Sequence, residues 1–209
     1  MNRLHTLLGT AAASIATIAV TVMILNPSPA PADPFEGLHF SAPIPIEDEI
    51  LGAPIISYQS DTYGYKIKFP GNWELDDSRS EFDGDILSDP SERVVITISE
   101  TTDPQLMTPE GQESLAKSIT DSLRVDPSFK LNTFEHLFWK NRPTLFTDGT
   151  RKIGGKRFHT REYNIFRKKH GGVLNVSVTT QEDAETLYDS ALQDILRSLD
   201  VCPKGRETT

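Results

Sequence analysis

The run Tyr58-Gln-Ser-Asp-Thr-Tyr-Gly-Tyr-Lys-Ile-Lys-Phe-Pro-Gly-Asn-Trp73 constrains what this chain can fold into more than any other stretch. Tyr65, Ile67 and Phe69 alternate with Lys66 and Lys68, the period of a strand with one buried and one wet face. Pro70 has no N–H to give a ladder, Gly71-Asn72 bends the chain, and Trp73 follows as a large apolar anchor. Upstream, Ile55 to Tyr58 reads as a partner strand that turns back through Asp61 to Gly64.

The rest of the domain continues in the same mixed grammar. Arg93 to Ser99 is a largely buried strand. Thr108-Pro109-Glu110 opens a helix with a capping hydroxyl, a proline at the first helical position and an acid facing the dipole. Leu115, Ile119 and Leu123 give that helix its buried stripe, and Asp126-Pro127 ends it. Phe129 to Trp139 holds a strand whose register the pattern does not fix. Gly154 to Phe158 leads into a longer strand through Tyr163, Ile165 and Phe166. A basic turn, Arg167 to Gly172, returns that strand to Val173–Thr179 as a hairpin. A second helix is predicted from about Asp183 to Leu199, with Ala184, Leu187, Tyr188, Ala191, Leu192, Ile195, Leu196 and Leu199 on one face. Thr179-Thr-Gln-Glu-Asp ahead of it is expected to supply its cap. The expected class is α+β.

The chain before the domain reads as a targeting element. Leu7 to Leu25 is an uncharged run of 19 residues behind Arg3. As a helix it spans about 28 Å, close to a bilayer core, and a cleaved signal is usually shorter. Its threonines and serine, and the small residues Ala30-Pro31-Ala32, keep cleavage near Ala32 open as the alternative. No Lys or Arg follows Arg3 until Lys66, so the rest of the chain is expected to be exported, with membrane contact through residues 4–25. Asn26 to Pro34 is rich in alternating prolines and reads as a semi-rigid spacer. The expected divisions are therefore a signal-anchor or signal peptide (1–32), a Pro-rich linker (33–53), a folded domain (54–201) and a flexible tail (202–209).

Two passages, Tyr63 to Trp73 and Gly154 to Val201, carry a family resemblance. Gly154-Gly155-Lys156 and Ile195-Leu196-Arg197-Ser198-Leu199, in this order of elements, resemble the PsbP-like family over about residues 54–201. That family shares with the Ran-binding Mog proteins an α/β/α sandwich, with a central, mostly antiparallel sheet flanked by helices. The resemblance implies that fold, and a non-enzymatic binding or assembly module on the outer side of a membrane. It transfers no functional residue, because no motif here matches the ion or partner contacts of better-known members. Two features depart from familiar relatives: no cysteine near the signal end allows acylation, and the N-terminus lacks the Arg- and Ser-rich character of a plastid transit peptide.

Chemistry leaves few traces. The net charge of −9 argues against sequence-independent nucleic-acid binding, and the single Cys202 excludes an intramolecular disulfide. No G-x-S-x-G, G-x-x-x-x-G-K-[ST] or G-x-G-x-x-G is present. The five histidines show no H-x-x-x-H spacing, so no zinc site is expected and no cofactor is assigned. The acidic stretch Asp76 to Glu92 invites a divalent-cation reading, but Asp83-Gly84-Asp85 lacks EF-hand spacing and a solvated acidic loop is the better expectation. An enzyme would need an acid/base pair assembled from distant segments, one that uses Asp85 or His159. The one basic region runs from Arg151 to His170, interleaved with Phe158, Tyr163 and Phe166. Its candidate interaction surface is Arg157, Arg161, Arg167, Lys168, Lys169 and His170, facing an unidentified protein or envelope component. A carrier of a hydrophobic ligand, with a pocket between sheet and helices, is the alternative.

Overall fold

The computed structural model describes residues 53–78, 83–167 and 172–201. Its strands are β1 (Ile55–Ser60), β2 (Tyr65–Pro70), β3 (Glu74–Asp76), β4 (Asp85–Ser88), β5 (Val94–Thr102), β6 (Phe129–Trp139), β7 (Arg142–Ile153), β8 (Lys156–Arg167), β9 (Gly172–Gln181) and β10 (Asp200–Val201). Helix α1 (Pro109–Val125) lies between β5 and β6, and α2 (Glu185–Ser198) follows β9. Among these residues no helix is long and apolar enough to cross a membrane. The apolar run 7–25, the spacer through residue 52, the turn 168–171 and the tail from Cys202 lie outside the described residues.

A seven-stranded sheet in the order β3-β4-β5-β9-β8-β7-β6 forms the middle layer, and β1-β2-β10 make a second, small sheet. All neighbouring pairs are antiparallel. The alternation read in the sequence is realised in β2: Tyr65, Ile67 and Phe69 are buried and Lys66 and Lys68 are exposed. They join Ile96, Ile98, Val176 and Val178 of the large sheet and Tyr188, Leu192 and Ile195 of α2 in the main core. A second core lies on the other face of the sheet, where Leu115, Ala116 and Ile119 of α1 meet Leu145, Phe166 and Val173. One helix on each face of one antiparallel sheet is the expected sandwich.

Both helices start near their predicted positions, but only one is capped as expected. Thr108 Oγ1 accepts from Gly111 N at 3.0 Å, with Pro109 at the first helical position. The cap expected from Thr179-Thr-Gln-Glu-Asp is absent: a 3-10 turn, Glu182–Ala184, leads into α2, and no side chain caps either element. Glu182, Asp183 and Glu185 instead place negative charge at the positive end of the helix.

Four strands were not anticipated. The stretch from Asp76 to Glu92 contains the end of β3 and all of β4, not simply a solvated loop, and Asp85 and Asp89 are buried at 1% exposure. A buried tyrosine donates to each. Tyr65 Oη donates to Asp85 at 2.6 Å, and Tyr188 Oη donates to Asp89 at 2.7 Å. Burial and the facing Asp85 carboxylate push the Tyr65 phenol well above its ordinary value, and burial with the neighbouring Asp89 takes Tyr188 to about 12. Strand β7 is concealed by Pro143, Gly149 and a mixture of polar residues on both faces. Gly149 is required there because a Cβ would stand 2.2 Å from Phe129 Cζ.

The sheet face under α1 also holds Glu162 of β8, opposite Thr147 of β7 and Ser177 of β9. Its Oε1 is buried without a hydrogen-bond partner. Burial raises the Glu162 carboxyl above the usual glutamate range, and nearby Arg151 draws it partly back. A carboxyl with a raised folded-state pKa favours folding below its unfolded value, and that contribution is lost as pH climbs through the folded value. At neutral pH the ionised group is therefore a cost. We expect Glu162→Gln to raise the thermal midpoint by a few degrees at neutral pH, with the gain shrinking in acid. A gain of equal size at every pH in thermal scans would remove burial of the charge as its cause.

Candidate interaction site

Strand β8 presents Arg157, His159, Arg161, Tyr163, Ile165 and Arg167 toward the α2 side, because alternate residues of a strand share a face. The basic residues read from the sequence thus lie on one side of one strand, but they do not form one patch. Ten residues separate Arg157 from Arg167, roughly 33 Å at the rise of a strand. Arg167 is not at the surface: its side chain is 1% exposed and paired with Glu100, and its other nitrogen donates to Tyr63 O. Burial draws the Arg167 guanidinium down from its ordinary value while Glu100 holds it up. Lys168, Lys169 and His170 lie outside the described residues.

What the structure does bring together is the start of β8 and the start of α2. Arg157 Nε donates to Glu182 Oε2 at 2.8 Å. His159 lies between two acids, with Nε2 at 2.6 Å from Asp148 Oδ2 and Nδ1 at 2.5 Å from Glu185 Oε1. Arg161 reaches the same Glu185 oxygen at 3.3 Å and Asp189 at 3.8 Å. Asn132 Nδ2 donates to the second oxygen of Asp148 at 3.1 Å. Around these groups opens a cleft of about 300 Å³ lined by Asn132, Asp148, Thr150, His159, Glu182 and Glu185. That is the lower end of the size range of small-molecule sites.

The acids of the cleft came from segments that sequence reading had not connected. Asp148 belongs to the unanticipated β7, which pairs Thr150 with His159 and Asp148 with Arg161. Glu182 and Glu185 were assigned only to a wet helix start. The signal was present in outline, a basic stripe on a strand followed by an acidic helix N-terminus, but contact between them is a tertiary fact.

The geometry also bears on what the cleft can do. Both ring nitrogens of His159 are engaged by carboxylates, and only the doubly protonated ring donates to both. No ring nitrogen stands free to take a proton from a substrate. Asp85 cannot complete a pair with His159, since β5 and β9 lie between β4 and β8, about 14 Å of sheet. Among the described residues no group of three or more His, Cys, Asp or Glu is arranged to hold a metal ion. The cleft is polar, unlike the apolar enclosure that a lipid carrier requires.

No family model matches the sequence, and no curated protein matches it. Solved structures do match. Cyanobacterial PsbP (CyanoP) from Synechocystis sp. PCC 6803 aligns with a TM-score of 0.54 and 16% identity, over 71% of this chain and 93% of that one. LpqN of Mycobacterium tuberculosis, described as involved in cell envelope biogenesis, aligns at 0.50 and 17%, over 76% of this chain and 97% of that one. The Ran-binding protein Mog1p of Saccharomyces cerevisiae aligns at 0.46 and 7%, over 71% and 96%, too distant to carry an argument. At these identities the likeness is one of fold. An antiparallel sheet with α1 on one face and α2 on the other is the PsbP-like α/β/α fold that the Tyr63–Trp73 and Gly154–Val201 passages resemble.

Proposed function

We propose that this chain is a non-enzymatic, extracytoplasmic binding or assembly module, held at a membrane by its N-terminal run and reaching its partner across the Pro-rich spacer. The observation that carries the reading is the order of segments: an uncharged run of membrane-spanning length, a proline-rich stretch, then a PsbP-like domain. The charge pairing in the cleft adds support, since side chains engaged with one another on both sides suit recognition better than proton transfer. LpqN, with a similar fold, is described as involved in cell envelope biogenesis, which agrees with this reading. Arg157, exposed beside the cleft, and Arg161, paired with Glu185 of its lining, are the basic residues this reading assigns to the contact with the partner.

Fractionation of the source cell tests the tether. The full chain should sediment with membranes, resist extraction by high salt and alkaline carbonate, and enter solution with detergent. Removing residues 1–25 should leave it in the soluble fraction. A full chain that is soluble, with an intact mass beginning near Asp33, would replace the anchor by a cleaved signal.

A further inference from the structure

The edge of a sheet presents backbone N–H and C=O groups that another strand can pair. The large sheet ends on one side at β6, and among the described residues only β7 pairs with that strand. It has 11 residues, whereas β3 at the opposite edge has 3. Edges are ordinarily blunted by shortness, proline, lysine or a bulge. In β6 both Lys130 and the register shift between Leu131 and Thr133 fall in the first half. Thr133 to Trp139 runs on without lysine, proline or irregularity.

That second half carries an exposed aromatic ring. Phe138 is 76% exposed, the one aromatic among the exposed large apolar side chains of the described residues. Phe134, His136 and Phe138 share the α1 side of the strand, because alternate residues share a face. Phe134 packs against the second core and stands edge-on to His136, with centroids 5.8 Å apart at 85°.

Strand period narrows the occupant. A two-fold axis normal to the sheet sets an edge strand antiparallel to its own copy. Side chains stay on their own faces only if one residue lies opposite its equivalent. With His136 on the axis, Phe134 lies opposite Phe138 of the second copy, and Phe138 opposite its Phe134. Each exposed ring is then covered by one already anchored in a core, and the two second cores become continuous. On the other face Glu135 lies opposite Leu137. Centring on Glu135 instead would oppose two carboxylates, and centring on Phe134 would turn Phe138 toward the bulged, lysine-bearing half. Any extended peptide would satisfy the backbone groups. A second copy also brings both rings in the same register.

We propose that β6 is a homodimer edge, at which two copies join Thr133–Trp139 antiparallel about His136 and merge their seven-stranded sheets into one. The inference goes beyond the binding-module reading and does not depend on it. The seam is short, so the dimer is a weak one.

The test is cysteine cross-linking of the detergent-solubilised full chain carrying Cys202→Ser. A residue on the axis stands about 5 Å from its equivalent, within disulfide reach, so His136→Cys should cross-link on mild oxidation. Lys130→Cys, exposed on the same strand but roughly 20 Å from the axis, should not. Adding Phe138→Lys should reduce the cross-linking at position 136 about 10-fold. Adding Ile55→Lys, at an exposed position of the small sheet, should leave it unchanged. All of these positions are exposed, and far-UV circular dichroism checks that each variant keeps the fold. No cross-link at position 136 with roughly 0.1 mM chain overturns the proposal, since even a weak specific interface is occupied there. Cross-linking as efficient at position 130, or indifferent to Phe138→Lys, overturns it as well. A soluble chain that cross-links keeps this inference and loses the tether, and a membrane-bound chain that does not cross-link loses this inference alone.

Discussion

Arg167→Ala is expected to destabilise the domain by ~3–5 kcal/mol, a large part of the stability of a protein this size. The guanidinium sits where three parts of the fold meet: the end of β8, Glu100 on β5 and the carbonyl of Tyr63 in the turn between β1 and β2. Its side chain is 1% exposed and that of Glu100 is 5%. Truncating the arginine removes a counter-charge from a buried carboxylate and a donor from a buried carbonyl. Both penalties exceed what the pair contributes, because the cost of removing two charges from water is already borne in the folded state. Urea denaturation followed by far-UV circular dichroism measures the loss. The double variant Arg167→Met with Glu100→Leu should recover most of it, since no charge is then left alone. A single variant within 1 kcal/mol of the parent on the roughly linear urea scale would show that Glu100 finds water or another partner, and that the pair does not hold the two sheets together.

Trp73→Ala is expected to cost about 3–5 kcal/mol. The ring is 4% exposed and stands edge-on to Tyr188 of α2, with centroids 6.2 Å apart at 71°. It fills the corner where the small sheet, the large sheet and α2 converge in the main core. Removing it opens a cavity that two sheets and a helix cannot close together, so the lost transfer energy is joined by lost contacts. Trp73→Phe keeps most of the volume and should cost clearly less. The same urea titration separates the cases: the midpoint should fall in the order parent, Trp73→Phe, Trp73→Ala, with an unchanged slope. If alanine and phenylalanine were equally damaging, indole packing would not be the cause.

The parts of the fold that local pattern specifies were legible. Alternation in Tyr65–Phe69, the stop at Pro70-Gly71, the Thr108-Pro109 helix start and the apolar stripe of α2 each depend on neighbours in sequence, and each stands in the structure. Strand β7 was not legible. Its buried positions include Thr144, Thr147, Gly149 and Arg151, which are acceptable inside only because Phe129 covers Gly149 and Asp126 pairs with Arg151. Nor could the sequence tell that Asp85 and Asp89 are interior groups. A run of carboxylates looks wet until Tyr65 and Tyr188 arrive from distant segments to donate to them.

The candidate site divides the same way. That β8 carries a basic face and that α2 begins with acids follows from composition and strand period alone. Which arginine is exposed, which is buried, and which acid meets which base depends on the register of β7 with β8 and on the descent of α2 onto the sheet. A one-residue slip of that register would turn His159 and Asp148 to opposite faces and abolish the cleft. The sequence by itself determined the buried faces of β2 and α2 and the start of α1, because local periodicity and capping act over a few residues, while the layers were what the family resemblance implied. Only the tertiary structure decided the cleft, because contacts across 11 to 26 residues of chain, from Asp148–His159 to His159–Glu185, exist only once two strands and a helix have docked.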